Sequence, residues 1–123
     1  MAETERSIFS RIIAGEIPAD VVYESERLIA FRDIAPKAPL HLLVVPKTEQ
    51  YRDVAELAAG DPQLLAELVA TAKRLADEHS DGDFRLIFNT GAGAGQTVFH
   101  VHAHLLSDSN TEHGLEEGSL AEF

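Results

Sequence analysis

His100-Val101-His102-Ala103-His104-Leu105-Leu106 places three of the chain's six histidines at alternate positions in one short apolar run. A β-strand sends successive side chains to opposite faces, so the three imidazoles share one face while Phe99, Val101, Ala103 and Leu105 line the other. The apolar face packs, and the imidazole face is left for chemistry. At ~3.3 Å per residue, neighbouring histidines stand about 7 Å apart and the outer pair about 13 Å. His102 is therefore flanked on both sides. A fourth histidine, His41, interrupts another apolar run.

Three readings of this row are open. The imidazoles can be the solvated side of an amphipathic strand. They can bind zinc, but the outer pair is too far apart to close a tetrahedron without distortion, and there is no cysteine to complete a structural site. Or His102 can attack an anionic group while its neighbours donate hydrogen bonds. What precedes the strand favours the third. Asn89-Thr90-Gly91-Ala92-Gly93-Ala94-Gly95-Gln96-Thr97 is a glycine-rich loop between two strand-like runs, and such loops turn backbone N–H groups inward as anion-binding nests. No Lys-Ser/Thr follows the glycines, and a strand rather than a helix comes next, so neither familiar nucleotide loop fits.

The remaining chain reads as one α+β domain. Ser7 caps a short helix in which Ile8, Phe9, Ile12 and Ile13 fall on one side, ended by Gly15 and Pro18. Strands are expected at 21–23, 28–31, 40–45, 84–88 and 98–106. Asp33 sits at a strand end beside a proline-punctuated loop, where an Asp commonly accepts backbone N–H bonds. A short helical turn is expected over 53–59. Asp61-Pro62 starts a long helix, with an apolar stripe from Leu64 to Ala76. The predicted fold is a five-stranded, mainly antiparallel sheet with two helices. Residues 1–6 are polar and expected to fray; 107–123, including His113, read as an acidic solvated tail.

The run from Gly95 to Leu106 resembles the His-φ-His-φ-His-φ-φ motif of the histidine triad (HIT) family. Upstream, Ser7-Ile8-Phe9, Ile12-Ile13, Glu16-Ile17-Pro18, the stretch from Ala30 to His41, and Val44-Val45-Pro46-Lys47 resemble the Hint branch, the nucleoside phosphoramidases. The likeness spans about residues 7–106. It implies a HIT-like fold pairing into a homodimer with a continuous sheet, and a hydrolase that cleaves the P–N bond of purine nucleoside 5′-phosphoramidates, AMP or GMP derivatives, through a nucleotidyl-histidine. By the same resemblance His102 is the nucleophile, and His100, His104, Gln96 and Thr97 serve the phosphoryl oxygens or the leaving group. His41 tunes the triad, Asp33 binds the ribose hydroxyls, and Ile8 and Phe9 wall the purine. Asn89, Gly95 and Ile34 complete the implied substrate-binding set. Two other functions remain open: a dinucleoside polyphosphate hydrolase of the Fhit branch, and a nucleotide-binding regulator with vestigial activity. The chain departs from the Hint pattern in having no tryptophan, a residue whose counterpart in the C-terminal segment helps complete the neighbouring subunit's pocket.

Composition bounds these readings. A chain of 123 residues suits one domain with a core of about 7–106. A net charge of −11 opposes binding to nucleic-acid backbones and anionic membranes. No carboxylate cluster accompanies the triad, so neither a resident metal, an obligatory magnesium nor another cofactor is expected. With no cysteine, no signal peptide and no apolar run long enough for a bilayer, a cytoplasmic location is expected.

Overall fold

The computed structural model describes residues 7–108. One antiparallel sheet contains β1 (Val21–Glu24), β2 (Leu28–Arg32), β3 (Leu40–Pro46), β4 (Arg85–Ile87) and β5 (Ala103–Ser107), in spatial order β1-β2-β3-β5-β4. Three helices accompany it: α1 (Ile8–Ile13), α2 (Val54–Gly60) and α3 (Pro62–His79). The expectations for residues 1–6 and for the tail beyond Asp108 lie outside the described residues.

β3 is central because it is apolar on both faces. All seven of its residues are buried, as a strand covered on both sides requires. Its alternation divides the protein in two. Leu40, Leu42 and Val44 join Leu28, Ala30, Val101, Ala103 and Leu105 beneath α2 and α3, which contribute Leu57, Leu64, Leu68, Ala72, Leu75 and Ala76. Leu43 and Val45 join Ile29, Phe31 and Phe9 in a smaller core on the other side, flanked by Ile12 and Ile13 of α1. His41 shares the parity of Leu43 and Val45. The register pairs Leu43 with His104 and His41 with Leu106, so both histidines lie on the α1 side.

Helix starts follow local chemistry. Ser7, Asp53 and Asp61 each turn a side-chain oxygen onto a first-turn amide, those of Ser10 (3.0 Å), Glu56 (2.9 Å) and Leu64 (3.1 Å). The expected turn at 53–59 is thus a full helix, capped by Asp53 and pinned by buried Leu57. Two helices were expected, and three α-helices are present among the described residues.

The last strand begins later than its alternation suggests. Expected over 98–106, it occupies Ala103–Ser107, and Ser107 closes the sheet rather than opening the tail. The cause lies opposite. Val44 pairs with Ala103, and soon afterwards β3 ends at Pro46, which has no N–H to continue a ladder. Val101 instead donates its N–H to the Tyr51 carbonyl at 3.0 Å. Residues 98–102 therefore leave the sheet. Val101 stays buried, whereas Phe99, expected on the packed face, is 49% exposed. Among the described residues, no helix is long and apolar enough to cross a membrane.

Candidate active site

Each histidine of the site is held by partners that dictate where its proton resides. The Pro46 carbonyl, 2.7 Å from His100 Nε2, can only accept, so Nε2 carries the hydrogen. Nδ1 of His100 is then the acceptor, 2.8 Å from Ser7 Oγ and 3.3 Å from Ser10 Oγ. His102 Nδ1 lies 2.9 Å from the His100 carbonyl and donates to it. This leaves Nε2 of His102 as an unprotonated lone pair. Lys37 donates its backbone N–H to His41 Nδ1 at 3.1 Å, which places the His41 proton on Nε2. That proton points at His104 Nδ1, 3.0 Å away, with Asp33 Oδ2 at 3.4 Å. In the neutral ring Nδ1 of His104 accepts, and its own N–H is at Nε2.

A cavity of about 200 Å³ opens beside this row, lined by Ile8, Phe9 and Ile12 of α1, Ile17 to Ala19 beyond it, and Phe31 to Ile34 with Leu43 from the sheet. Its walls are largely apolar, as a flat heterocycle requires. Phe9 joins cavity to triad, its ring edge-on to His102 at 4.8 Å between centroids. Ile34 is fully exposed and Ile8 nearly half so, forming an apolar lip. Asp33 sits at the polar end, with Oδ1 accepting the Ala35 N–H at 2.8 Å.

The structure brings His102, His104, His41, Asp33, Ile8, Phe9 and Ile34 together, and gives several other expected site residues internal partners. His100 is buried between α1 and the end of β3, at 3% exposure. Gln96, expected to face a phosphoryl group, is equally buried. Its Oε1 accepts the Gly91 N–H, and its Nε2 donates to the carbonyls of Arg52 (2.6 Å) and Val98 (3.0 Å). The glycine loop is closed on itself: the amides of Ala94, Gly95 and Gln96 bond to the carbonyls of Gly91, Ala92 and Gly91. Gly91 (φ 89°) and Gly95 (φ 93°) supply the left-handed backbone that this tight 3-10 turn needs. Thr97 is exposed beside the loop, and Asn89 follows β4 half-buried. Linear reading missed Ser7 and Ser10 as partners of His100, because nothing local marks a contact across 93 residues.

Among the described residues, Asp33, His41 and His104 form a group whose donor atoms lie within 4.8 Å of one another, the spacing that a metal ion requires. A metal on His41 Nε2 would need the ring proton on Nδ1, at the expense of the Lys37 amide bond. The geometry therefore suits the histidine-to-histidine hydrogen bond better.

The family described as "Scavenger mRNA decapping enzyme C-term binding" matches residues 6–118. An uncharacterized HIT-like protein of Synechococcus elongatus is 46% identical over 104 residues, covering 84% of this chain and 90% of that protein. The chain belongs to the histidine triad family. Another HIT relative is the purine nucleoside phosphoramidase of Escherichia coli, 40% identical over 104 residues, covering 83% of this chain and 87% of that protein. Among solved structures, a HIT family hydrolase from Clostridium thermocellum superposes with a TM-score of 0.81 at 38% identity, covering 92% of this chain and 97% of its own.

In this HIT protein burial sets the charge of the site. Desolvation holds His41, His100 and His102 below the ordinary imidazole value of 6.5. For His104, burial and then the neighbouring imidazoles of His102 and His41 push the pKa down to about 4. All four rings are therefore neutral at pH 7, which keeps lone pairs available without prior deprotonation.

Proposed function

We propose that this HIT protein hydrolyses the P–N bond of purine nucleoside 5′-phosphoramidates through a nucleotidyl-His102 intermediate. The observation that carries the reading is the unprotonated Nε2 of His102, oriented by the bond from its Nδ1–H to the His100 carbonyl, beside an apolar cavity that ends in a carboxylate. The kinship with a relative named purine nucleoside phosphoramidase agrees with it.

In this reading the base lies between Ile8, Phe9 and Ile34, Asp33 accepts hydrogen bonds from the ribose hydroxyls, and the 5′-phosphorus comes to His102. Nε2 forms a bond to phosphorus while the P–N bond breaks, and its electron pair leaves with the amine, which takes up a proton. The Nε2–H of neutral His104, whose ring centroid lies 5.3 Å from that of His102, donates in this reading to a phosphoryl oxygen or to the departing nitrogen. Water then attacks phosphorus from the opposite side, returning the imidazole and releasing the nucleoside monophosphate. Two displacements at phosphorus, with the fixed nitrogen entering in the first and leaving in the second, replace a single difficult one. Preorganised donors stabilise the charge that develops. Gln96 acts here by bracing the loop, and Thr97, Asn89 and the loop backbone border the phosphate end. A homodimer with a sheet continued across an edge strand, and a cytoplasmic location, belong to the same reading.

The test is to incubate the protein with adenosine 5′-phosphoramidate labelled at phosphorus, quench in alkali, and map the label. Label on the His102 peptide, with AMP as product, supports the proposal. Label on another residue, or turnover unchanged in His102→Asn, refutes it. Faster cleavage of diadenosine triphosphate than of the phosphoramidate would move the assignment to the polyphosphate hydrolases, and binding without cleavage of either would make the protein a nucleotide-binding regulator. Sedimentation at micromolar concentration tests the dimer.

A further inference from the structure

His100 does not line the cavity, yet both its ring nitrogens and its carbonyl are engaged. Ser7 and Ser10, one turn apart on α1, converge on Nδ1 at 2.8 and 3.3 Å. Pro46 at the end of β3 takes Nε2–H at 2.7 Å. The backbone carbonyl holds His102 Nδ1–H at 2.9 Å. Ser7 Oγ has a second duty, accepting the Ser10 N–H at 3.0 Å as the cap of α1. It stands 3.2 Å from Ser10 Oγ, so the two hydroxyls and the imidazole form one compact network. Residues 98–102 leave the sheet, where the peptide that carries the His100 carbonyl is held through its Val101 N–H, bonded to the Tyr51 carbonyl at 3.0 Å; the anchored His100 ring is a second hold on that peptide.

We propose that Ser7, supported by Ser10, is a positioning residue: its hydroxyl proton fixes the His100 ring, and the His100 carbonyl in turn aims His102. Pro46 fixes one side of the ring; the serine hydroxyl fixes the other by supplying the proton that a neutral Nδ1 can accept. With both sides held, the ring cannot rotate about χ2 and the peptide that carries the carbonyl cannot tilt. Without the serine proton, the ring must flip, gain a second proton or leave Nδ1 unsatisfied in a buried site, and each of these disturbs the peptide. The network also ties α1, with its cavity-lining Ile8, Phe9 and Ile12, to the segment bearing His102. A hydroxyl suits this role because it can accept from the helix amide and donate to the imidazole at once. The kinetic part of the proposal rests on the phosphoramidase reading; the structural part does not.

The test separates capping from tying. Ser7→Gly/Ser10→Ala keeps a residue that helix N-caps tolerate but offers His100 neither a proton nor an acceptor, whereas Ser7→Thr keeps both functions. In the wild type, ¹⁵N spectra of the imidazoles at pH 7 should show His100 protonated at Nε2 alone and His102 at Nδ1 alone. The double variant, with Nδ1 of His100 left without a hydroxyl, should lose the single tautomer of His102. Its kcat for adenosine 5′-phosphoramidate should fall roughly tenfold, with KM changed less than about threefold, while Ser7→Thr stays within twofold of wild type. Unchanged His102 signals and kcat in a folded double variant would overturn the proposal. So would an equal loss of kcat in Ser7→Thr. Because the spectra need no substrate, a wild type inert towards the phosphoramidate would sink the functional reading and leave this one to be decided by the spectra.

Discussion

His41 Nε2 and His104 Nδ1 stand 3.0 Å apart across the β3–β5 pairing, and the Lys37 amide on the far side of the His41 ring decides which of them holds the proton. His41 is thus a buried donor that keeps the proton of neutral His104 on Nε2. Replacing it with Phe keeps the bulk and removes the donor. His104 then samples both tautomers. A lost hydrogen bond of about 1.4 kcal/mol in the transition state corresponds to about a tenfold fall in rate. Steady-state kinetics on His41→Phe should show that fall mainly in kcat.

The pH profile follows from the same burial. His102 attacks only when neutral, and its pKa lies below 6.5 because desolvation outweighs the carbonyl bond and Asp33. The acid limb of kcat/KM should therefore be centred below 6.5, with full activity at pH 7. A limb centred above 6.5 would contradict the assignment.

Stability should carry a matching signature. As pH falls, the unfolded chain takes up protons on these histidines near 6.5, while folded His104 resists until about 4. The unfolded state thus binds more protons in that window, and stability falls with pH through it. The contribution is complete above pH 6.5 and is lost between about 6.5 and 4. Urea midpoints should decline from pH 7 to pH 5, and less steeply in His104→Asn.

Asp33 spends Oδ1 on the turn at Ala35 and keeps Oδ2 near His41. On the proposed reading it also meets the ribose. Asp33→Asn retains an oxygen for the Ala35 amide, so the turn survives. KM for the ribonucleoside phosphoramidate should rise about tenfold, and for the 2′,3′-dideoxy analogue less than twofold, as expected for one charge-assisted bond. Equal rises would make Asp33 a turn residue only.

Gln96 offers a test of bracing against ligation. Gln96→Glu keeps the acceptor for the Gly91 amide but removes both donors to Arg52 and Val98. Leaving a fully buried carbonyl unpaired costs about 1–3 kcal/mol, an upper bound for these part-buried ones. The variant should be destabilised on that scale in urea, and amide exchange over 91–98 should accelerate. A stable variant with slow loop exchange would restore Gln96 as a candidate for direct substrate contact.

Much of this architecture is local and was legible in the chain. The alternation of His102 and His104 with Val101, Ala103 and Leu105 separated these two imidazoles from the packed side, because parity needs only neighbours in sequence; His100, which is buried, and Phe99, which is exposed, depart from it where the chain has left the sheet. Ser7 and Asp61 announced helix starts for the same reason. Apolarity on both faces of β3 marked it as central. Partner choice was not local. That Ser7 meets His100, that Gln96 turns inward to Arg52 and Val98, and that His41 reaches His104 rather than merely filling the core, all depend on segments distant in the chain being brought within 3.3 Å. Even the late start of β5 came from outside its own residues, since it was set by the missing N–H of Pro46 and the carbonyl of Tyr51. Side-chain periodicity is written into the sequence; the pairing of hydrogen-bond donors with acceptors exists only after the chain has closed on itself.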